Sequence, residues 1–324
     1  MQGFEYANPS TLQEALSSLG SNWDDAHVLA GGTDQISLMK DYVHTPKRVV
    51  NIKSVKELHG VSKTAQGLRI GAAVTFDELS SNPMVRSEYP SILTAVMGVT
   101  SPQIRNMGTA GGDLCQRPRC WYFRNGYGVL ALMDGKSLVP NGENRYHAIF
   151  GGGPAYFVSA SSLGPALVAL GAKVKIASAK GSRTVDVEKF FVAPGNPNAR
   201  EVDLQPNEIL TEILIPSAGR KNATYEVRQK EALDWPLATA SVALDMSGGS
   251  VRGGRIVLGH VAPTPWVATQ AEKALAGQSI SADTAAQIAE AAVAGAAPLS
   301  QNAYKVTLAK VAVKRALLAA AGKA

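Results

Sequence analysis

The chain has 324 residues, 45% of them hydrophobic and 18% charged, with 31 glycines and 17 prolines. That length suits roughly two domains, and the composition excludes both wholesale disorder and a small disulfide-stapled module. The formal charge of +6 is scattered in short clusters such as Pro46-Lys47-Arg48 and Lys314-Arg315, which give nucleic acid little to bind, and two cysteines, Cys115 and Cys120, build no disulfide framework.

Leu12, Ala15, Leu16 and Leu19 recur at helical spacing after the Asn8-Pro9-Ser10 turn and predict a helix over 11–19. His27-Val28-Leu29-Ala30 reads as a strand broken by Gly31-Gly32-Thr33-Asp34; a helix is expected over 35–41 and a second strand over 48–52. The segment 68–74 (LRIGAAV) is strand-like, and short helices follow at 76–80 and 92–99. From Ser101 to Cys115, glycines and polar residues alternate with apolar ones, which reads as a binding surface made of main chain. Residues 116–154 are weakly periodic, rich in Arg, Gly, Asn and aromatics, and much longer than an ordinary connection; they are expected to be a functional or disordered loop.

Strands are expected at 155–159, 173–177 and 208–215, a helix at 163–170, and a domain boundary at Pro216-Ser217-Ala218-Gly219. Beyond it, strands over 240–246 and 255–261 flank the glycine-rich SGGSVRGG segment, and alanine favours helices over 283–294 and 302–320. No run of about eighteen apolar residues predicts a membrane span, and the N-terminal MQGFEYANPS lacks the order of an export signal.

The segment from Leu29 to Gln35 sets two glycines and a threonine after a strand, so that backbone N–H groups and the Thr33 hydroxyl can face a phosphate. Its spacing is neither GxGxxG nor GxxxxGK[ST], and GGT alone is commonly just a tight turn. A second glycine array at 108–113 changes the reading: two loops on different subdomains can clamp a pyrophosphate from both sides. GxSxG and HExxH are absent, and the five histidines form no compact ligand set. Trp121, Trp235 and Trp266 are candidates for stacking on a ring, although buried aromatics mostly serve packing.

Leu29-Ala30-Gly31-Gly32-Thr33-Asp34-Gln35 resembles LAGGTDL, and Ser101 through Leu114 resembles SxQIRNxGTxGGNL with Asp113 in place of Asn. In this pairing the chain resembles the FAD-binding medium subunit of the molybdenum hydroxylases, the xanthine dehydrogenase family, and most of all its bacterial aldehyde-oxidoreductase members. The resemblance spans essentially the whole chain. It implies an α+β fold with FAD-binding subdomains over 1–55 and 56–216, the second carrying an insertion at 115–154, and a C-terminal antiparallel sheet with helices over 217–324. It further implies that Leu29, Ala30, Gly31, Gly32, Thr33, Asp34 and Gln35 contact FAD together with Thr109, Ala110, Gly111, Gly112 and Asp113. Ser162, where relatives often have an acidic residue, Leu210 and Lys230 complete the implied contacts. Glu226 and Lys230 stand where close relatives carry Lys and Arg beside the isoalloxazine.

The segments 115–124 and 142–149 resemble the ends of a loop that in some members holds a [4Fe-4S] cluster. Two cysteines fall short of the four such a cluster takes, so no [4Fe-4S] cluster is expected on this chain, and Cys115 and Cys120 are expected to be structural or vestigial. Arg117, Arg119 and Arg124 form a solvated face, dock a partner, or steady a flavin phosphate. The implied function is electron transfer within a heteromeric, molybdenum-dependent hydroxylase or aldehyde dehydrogenase. A molybdopterin-binding large subunit oxidises substrate, a [2Fe-2S] small subunit relays electrons, and FAD on this chain delivers them to a soluble or protein acceptor. No catalytic residue is expected here. A stand-alone flavin oxidoreductase and a cofactor-free scaffold remain as alternatives. The expected compartment is the cytoplasm, or the periplasm by co-export with a signal-bearing partner.

Overall fold

Thr11 starts the first helix: its hydroxyl accepts from the Glu14 N–H while the Glu14 carboxylate accepts from the Thr11 N–H, a reciprocal box that satisfies two otherwise orphaned donors. That helix, α1 (Leu12–Ser17), follows β1 (Glu5–Ala7) and is succeeded by β2 (Ala26–Leu29), α2 (Gln35–Lys40) and β3 (Arg48–Asn51). The three strands pair in parallel in the order β1-β3-β2, so each connection must cross over the sheet. Ala15, Leu16, Ala26, Val50 and Ile52 make the core of this small sheet. The computed structural model describes residues 1–217 and 219–323; Ala218, inside the expected boundary turn, lies outside the described residues.

A second sheet is built from β4 (Val61–Thr64) and β5 (Gly67–Gly71), followed by α3 (Phe76–Ser81), α4 (Pro83–Glu88) and α5 (Pro90–Gly98). Residues 101–115, read from sequence as a binding surface made of main chain, form two six-residue helices, α6 (Pro102–Met107) and α7 (Ala110–Cys115). Hydroxyl caps start both: Ser101 Oγ accepts from the Ile104 N–H and Thr109 Oγ1 from the Gly112 N–H. The insertion is ordered: α8 (Trp121–Arg124) and a small hairpin of β6 (Leu132–Met133) and β7 (Lys136–Ser137) bury Phe123, Val129 and Leu130 against Leu38 of α2. The strand expected at 155–159 does not form. Its alternation arises because Ala155 and Phe157 point into that same cluster, with no ladder to join.

After the insertion come α9 (Leu163–Leu170), β8 (Lys173–Ser178), β9 (Gly181–Asp186), α10 (Val187–Phe190) and β10 (Ile209–Pro216). The antiparallel order is β4-β5-β10-β8-β9, and Ile213 of β10 faces Ile70 on one side and Val174 on the other. That register stacks apolar side chains on one face, where Leu163, Leu167 and Ile92 bury them.

The C-terminal sheet runs β11 (Lys221–Val227), β12 (Ala238–Ser247), β13 (Ser250–Gly259) and β14 (Trp266–Val267), antiparallel in that order. Gly248 and Gly249, with φ of +56° and +83°, close the β12–β13 turn in two residues, and the rest of the SGGSVRGG segment is strand. α11 (Thr269–Leu275), α12 (Ala282–Ala292) and α13 (Tyr304–Ala320) complete the chain; Ala309, Ala312 and Ala316 are fully buried and let α13 lie close to the sheet. Lys305 is buried too, its Nζ donating to the carbonyls of Tyr146 (3.1 Å), His147 (3.3 Å) and His260 (2.6 Å), which fastens the insertion to this sheet. Among the described residues no helix is long and apolar enough to cross a membrane.

Candidate cofactor site

The two glycine motifs meet through missing side chains. A Cβ on Gly31 would overlap the Met107 carbonyl oxygen, and one on Gly111 would lie 2.8 Å from Ala72 Cβ. Bare backbone thus lets the turn after β2 touch the end of α6. Gly32 has φ +73°, the left-handed conformation that favours glycine. Between these segments lies a cavity of about 560 Å³, within the roughly 300–1,000 Å³ span of small-molecule sites. The insertion contributes Gln116, Arg117 and Arg119 to its wall, and the connection from β11 to β12 contributes Leu233, Asp234, Trp235 and Pro236.

Ala30, Gly31, Gly32, Thr33, Asp34, Gln35, Thr109, Gly111, Gly112, Asp113, Ser162 and Leu210 line the cavity; Leu29, Ala110 and Lys230 do not. Leu29 ends β2 with its side chain toward Gly32. Ala110 is fully buried, its N–H donating to the Val74 carbonyl at 2.8 Å. Lys230 is exposed on the β11–β12 connection, where its N–H donates to Asp234 Oδ2 at 2.9 Å.

The main chain of the two motifs is used differently. Among the described residues no protein acceptor takes the N–H groups of Gly31, Gly32 or Thr33, whereas Gly111 donates to Ala72 O at 2.8 Å and Gly112 to the Thr109 hydroxyl at 3.1 Å. The first donors of α7 thus go to its own cap and to the β5–α3 connection, while those of the Gly31–Thr33 turn stay open.

Both aspartates of the motifs serve the protein itself. Asp34 accepts from the Arg117 N–H (2.8 Å), Arg124 Nη2 (2.7 Å) and Arg119 Nη1 (3.2 Å). Asp113 accepts from Ser161 Oγ (2.5 Å), the Leu163 N–H (2.9 Å) and the Ser162 N–H (3.2 Å), capping α9. Burial pushes the Asp113 carboxyl up, and those donors oppose the shift.

Charge and aromatic rings fill the rest of the wall. Arg117 pairs with Glu201 and reaches His44 Nε2 at 3.2 Å; Gln35 then bridges His44 Nδ1 (3.2 Å) and His27 Nδ1 (2.8 Å). Gln35 Nε2 donates to His27, so its Oε1 accepts from His44, whose Nε2 is left to accept from Arg117. Burial, followed by neighbouring positive charge, lowers His27 to about 4 and His44 to about 2, so both rings are neutral. Arg119 lies 4.8 Å from the Trp235 ring centroid and Arg200 3.9 Å from that of Trp23. The Nε of each is buried without a hydrogen-bond partner. Trp23, His27 and Arg200 are lining residues that motif reading missed: Trp23 and Arg200 sit on irregular segments, and His27 lies on β2, just outside the glycine motif.

Among the described residues no group of three or more His, Cys, Asp or Glu is placed to hold a metal ion. Cys120 Sγ lies 3.1 Å from His147 Nε2. Burial pushes both thiols up, Cys115 to about 12, so neither is a thiolate at neutral pH.

A mixed α+β body with an arginine-bearing cavity between two glycine motifs defines a protein built to bind a sizeable small-molecule ligand. Residues 2–218 match the family described as the FAD binding domain in molybdopterin dehydrogenase, and residues 223–320 match the CO dehydrogenase flavoprotein C-terminal domain. The chain belongs to this family and is an FAD-binding, electron-transferring medium subunit of the molybdenum-hydroxylase type. It is 29% identical over 322 residues to the carbon monoxide dehydrogenase medium chain of Hydrogenophaga pseudoflava, covering 98% of this chain and 96% of that one. It is also 29% identical over 324 residues to the aldehyde oxidoreductase FAD-binding subunit PaoB of Escherichia coli (strain K12), covering 96% of each. The structure of quinoline 2-oxidoreductase from Pseudomonas putida 86 superposes with a TM-score of 0.78 at 27% identity, over 99% of this chain and 98% of that one.

Proposed function

We propose that the cavity holds one FAD and that this chain is the outlet of a three-subunit enzyme. Electrons arrive from [2Fe-2S] clusters on a small subunit, having been taken from substrate at a molybdopterin centre on a large one, and leave to a soluble or protein acceptor. The observation that carries this reading is a cavity joining Gly31–Thr33 to Thr109, Gly111, Gly112 and Asp113 with buried, unpartnered guanidinium N–H groups in its wall. Such donors fit an anionic, acceptor-rich dinucleotide.

Bound FAD supplies the redox chemistry; the chain's residues bind and orient it. Gly31, Gly32 and Thr33 offer free N–H donors to the diphosphate, the Thr33 and Thr109 hydroxyls add two more, and Arg119 supplies positive charge from behind Asp34. Ile209 and Leu210 give an apolar wall. Leu233 and Trp235, 77% and 43% exposed, keep one end of the cavity at the surface, where electron exchange with another chain is possible. The acids in the wall are occupied: Asp34 by arginines, Asp113 by α9, Glu208 by Arg183 at 2.8 Å, and Asp234 by the Lys230 and Trp235 N–H groups at 2.9 and 3.0 Å. None is free to act as a base toward an organic substrate, which favours electron transfer over a substrate reaction on this chain.

The relatives named as carbon monoxide dehydrogenase and aldehyde oxidoreductase subunits, together with the loop that begins at Cys115, support assembly into an aldehyde-oxidising complex without a [4Fe-4S] cluster on this chain. The cytoplasm is the proposed compartment, or the periplasm if a signal-bearing partner carries the folded complex out. The test is native purification with metal and flavin analysis. The expected result is one FAD per chain, together with molybdenum and [2Fe-2S] iron on two further polypeptides. Flavin without partners would establish a stand-alone flavoenzyme, and partners without flavin a scaffold.

A further inference from the structure

Two parts of the cavity wall differ. One lies at the surface beside Leu233 and Trp235; the other is lined by Trp23, Ile52, Leu204, Pro206 and Ile209, with Arg200 among them. Arg200 is the exception in that wall. Its guanidinium is braced on the Trp23 ring, its Nε is buried with no partner, and the adjacent Glu201 is committed to Arg117. Neither histidine nearby can share the load, since His27 is bound to Gln35 and His44 to Gln35 and Arg117. Glu208, the acid at this end, is held by Arg183. A buried cation with an unmet donor implies a ligand atom that completes it.

Given the FAD reading above, we propose that Arg200, held flat by Trp23, receives the adenine end of the cofactor and is the residue that makes this chain select FAD over FMN. The diphosphate is the other possible recipient, but its donors lie on the turn at Gly31–Thr33, where Arg119 and Arg124 share the single carboxylate of Asp34 and so leave positive charge in excess. Trp23, Ile52, Leu204, Pro206 and Ile209 give the wall beside Arg200 apolar faces that suit an uncharged planar ring. Adenine offers ring-nitrogen acceptors for the Nε–H, and a guanidinium stacks on flat π systems in a way that an ammonium does not.

Apo-protein is titrated with FAD, FMN and ADP, for wild type and for the Arg200→Gln and Arg200→Lys variants, with circular dichroism to verify folding. ADP carries the adenine end of FAD without the flavin, and FMN the flavin end without the adenine. In both variants FAD and ADP are expected to bind about ten- to a hundredfold more weakly, the factor for loss of a hydrogen bond from a charged group, while FMN affinity stays unchanged. Arg200→Lys keeps the charge and carries the test should the glutamine variant fail to fold. FAD affinity that survives in the lysine variant would reduce Arg200 to a counter-charge and overturn the proposal. A loss shared equally by FMN would also overturn it, placing Arg200 on the phosphate or flavin. Wild-type protein that binds neither FAD nor ADP would overturn the FAD reading itself, whereas wild-type binding matched by both variants would overturn only the role of Arg200.

Discussion

At the residue scale, Gly31 and Gly32 are adjacent but needed for different reasons. Gly31 is needed for space, because any Cβ collides with backbone at Met107. Gly32 is needed for conformation: its φ is +73°, and the atoms a Cβ would approach are the flexible ends of Ile36 and Leu29. Gly31→Ala is therefore expected to push the turn off α6, destabilising the fold by about 1–3 kcal/mol and stripping most of the flavin. The flavin-to-protein absorbance ratio and a melting curve read this directly, and wild-type flavin content in the folded variant would show that the close approach is not required. The glycine pattern was legible in the sequence, since L-A-G-G-T-D after a strand signals a turn with exposed donors. The work of Asp34 was not, because its arginine partners lie some eighty or ninety positions along the chain.

At the element scale, the insertion behaves as a wall rather than a loose loop. Arg117, Arg119 and Arg124 converge on Asp34, and Phe123 buries itself against α2. Asp34→Asn removes the charge that gathers the Arg119 and Arg124 guanidinium groups and accepts from the Arg117 main chain, while keeping the side chain's shape. It is expected to loosen residues 116–154, speeding limited proteolysis there several-fold and lowering flavin retention, with the C-terminal sheet unaffected. Equal protease resistance in mutant and wild type would mean that apolar packing alone holds the insertion. Sequence reading recognised the length and arginine content of this segment but could not choose between a functional and a disordered loop. That choice depended on Leu38 and Phe157 supplying a buried surface, which local periodicity does not encode. The same cluster misled the reading of 155–159, where alternation reported burial without a neighbouring strand.

At the scale of the whole molecule, three buried histidines and the half-buried His44 make the fold sensitive to acid. Burial is the largest cause in each case: His27 and His147 are lowered to about 4, His44 to about 2 and His260 to about 3. The folded rings stay neutral, and the unfolded chain takes up protons below about 6.5. Stability is therefore complete above that pH and falls as pH drops toward the folded values, by about 1.4 kcal/mol per unit for each ring that must stay neutral. Lys305, lowered to about 7 by burial, is charged in both states well below that pH and adds no slope there. The melting midpoint is expected to fall by several degrees between pH 7 and pH 5.5, with flavin released early because His27 and His44 stand in the cavity wall. A midpoint constant over that interval would contradict neutral burial of these rings.

The sequence by itself determined the parts whose cause is local or strongly patterned: the glycine turns, the helix periods, the alanine-rich C-terminus, and the paired motifs that mark an FAD-binding medium subunit. Only the tertiary structure decided which side chains those motifs meet. Asp34 turned out to anchor the insertion and Asp113 to cap α9, while Lys230 stands outside the cavity and Arg200, against Trp23, lines it. The physical reason is that backbone conformation follows from neighbouring residues, whereas burying a charge requires partners gathered from distant positions, and that gathering exists only once the chain has folded.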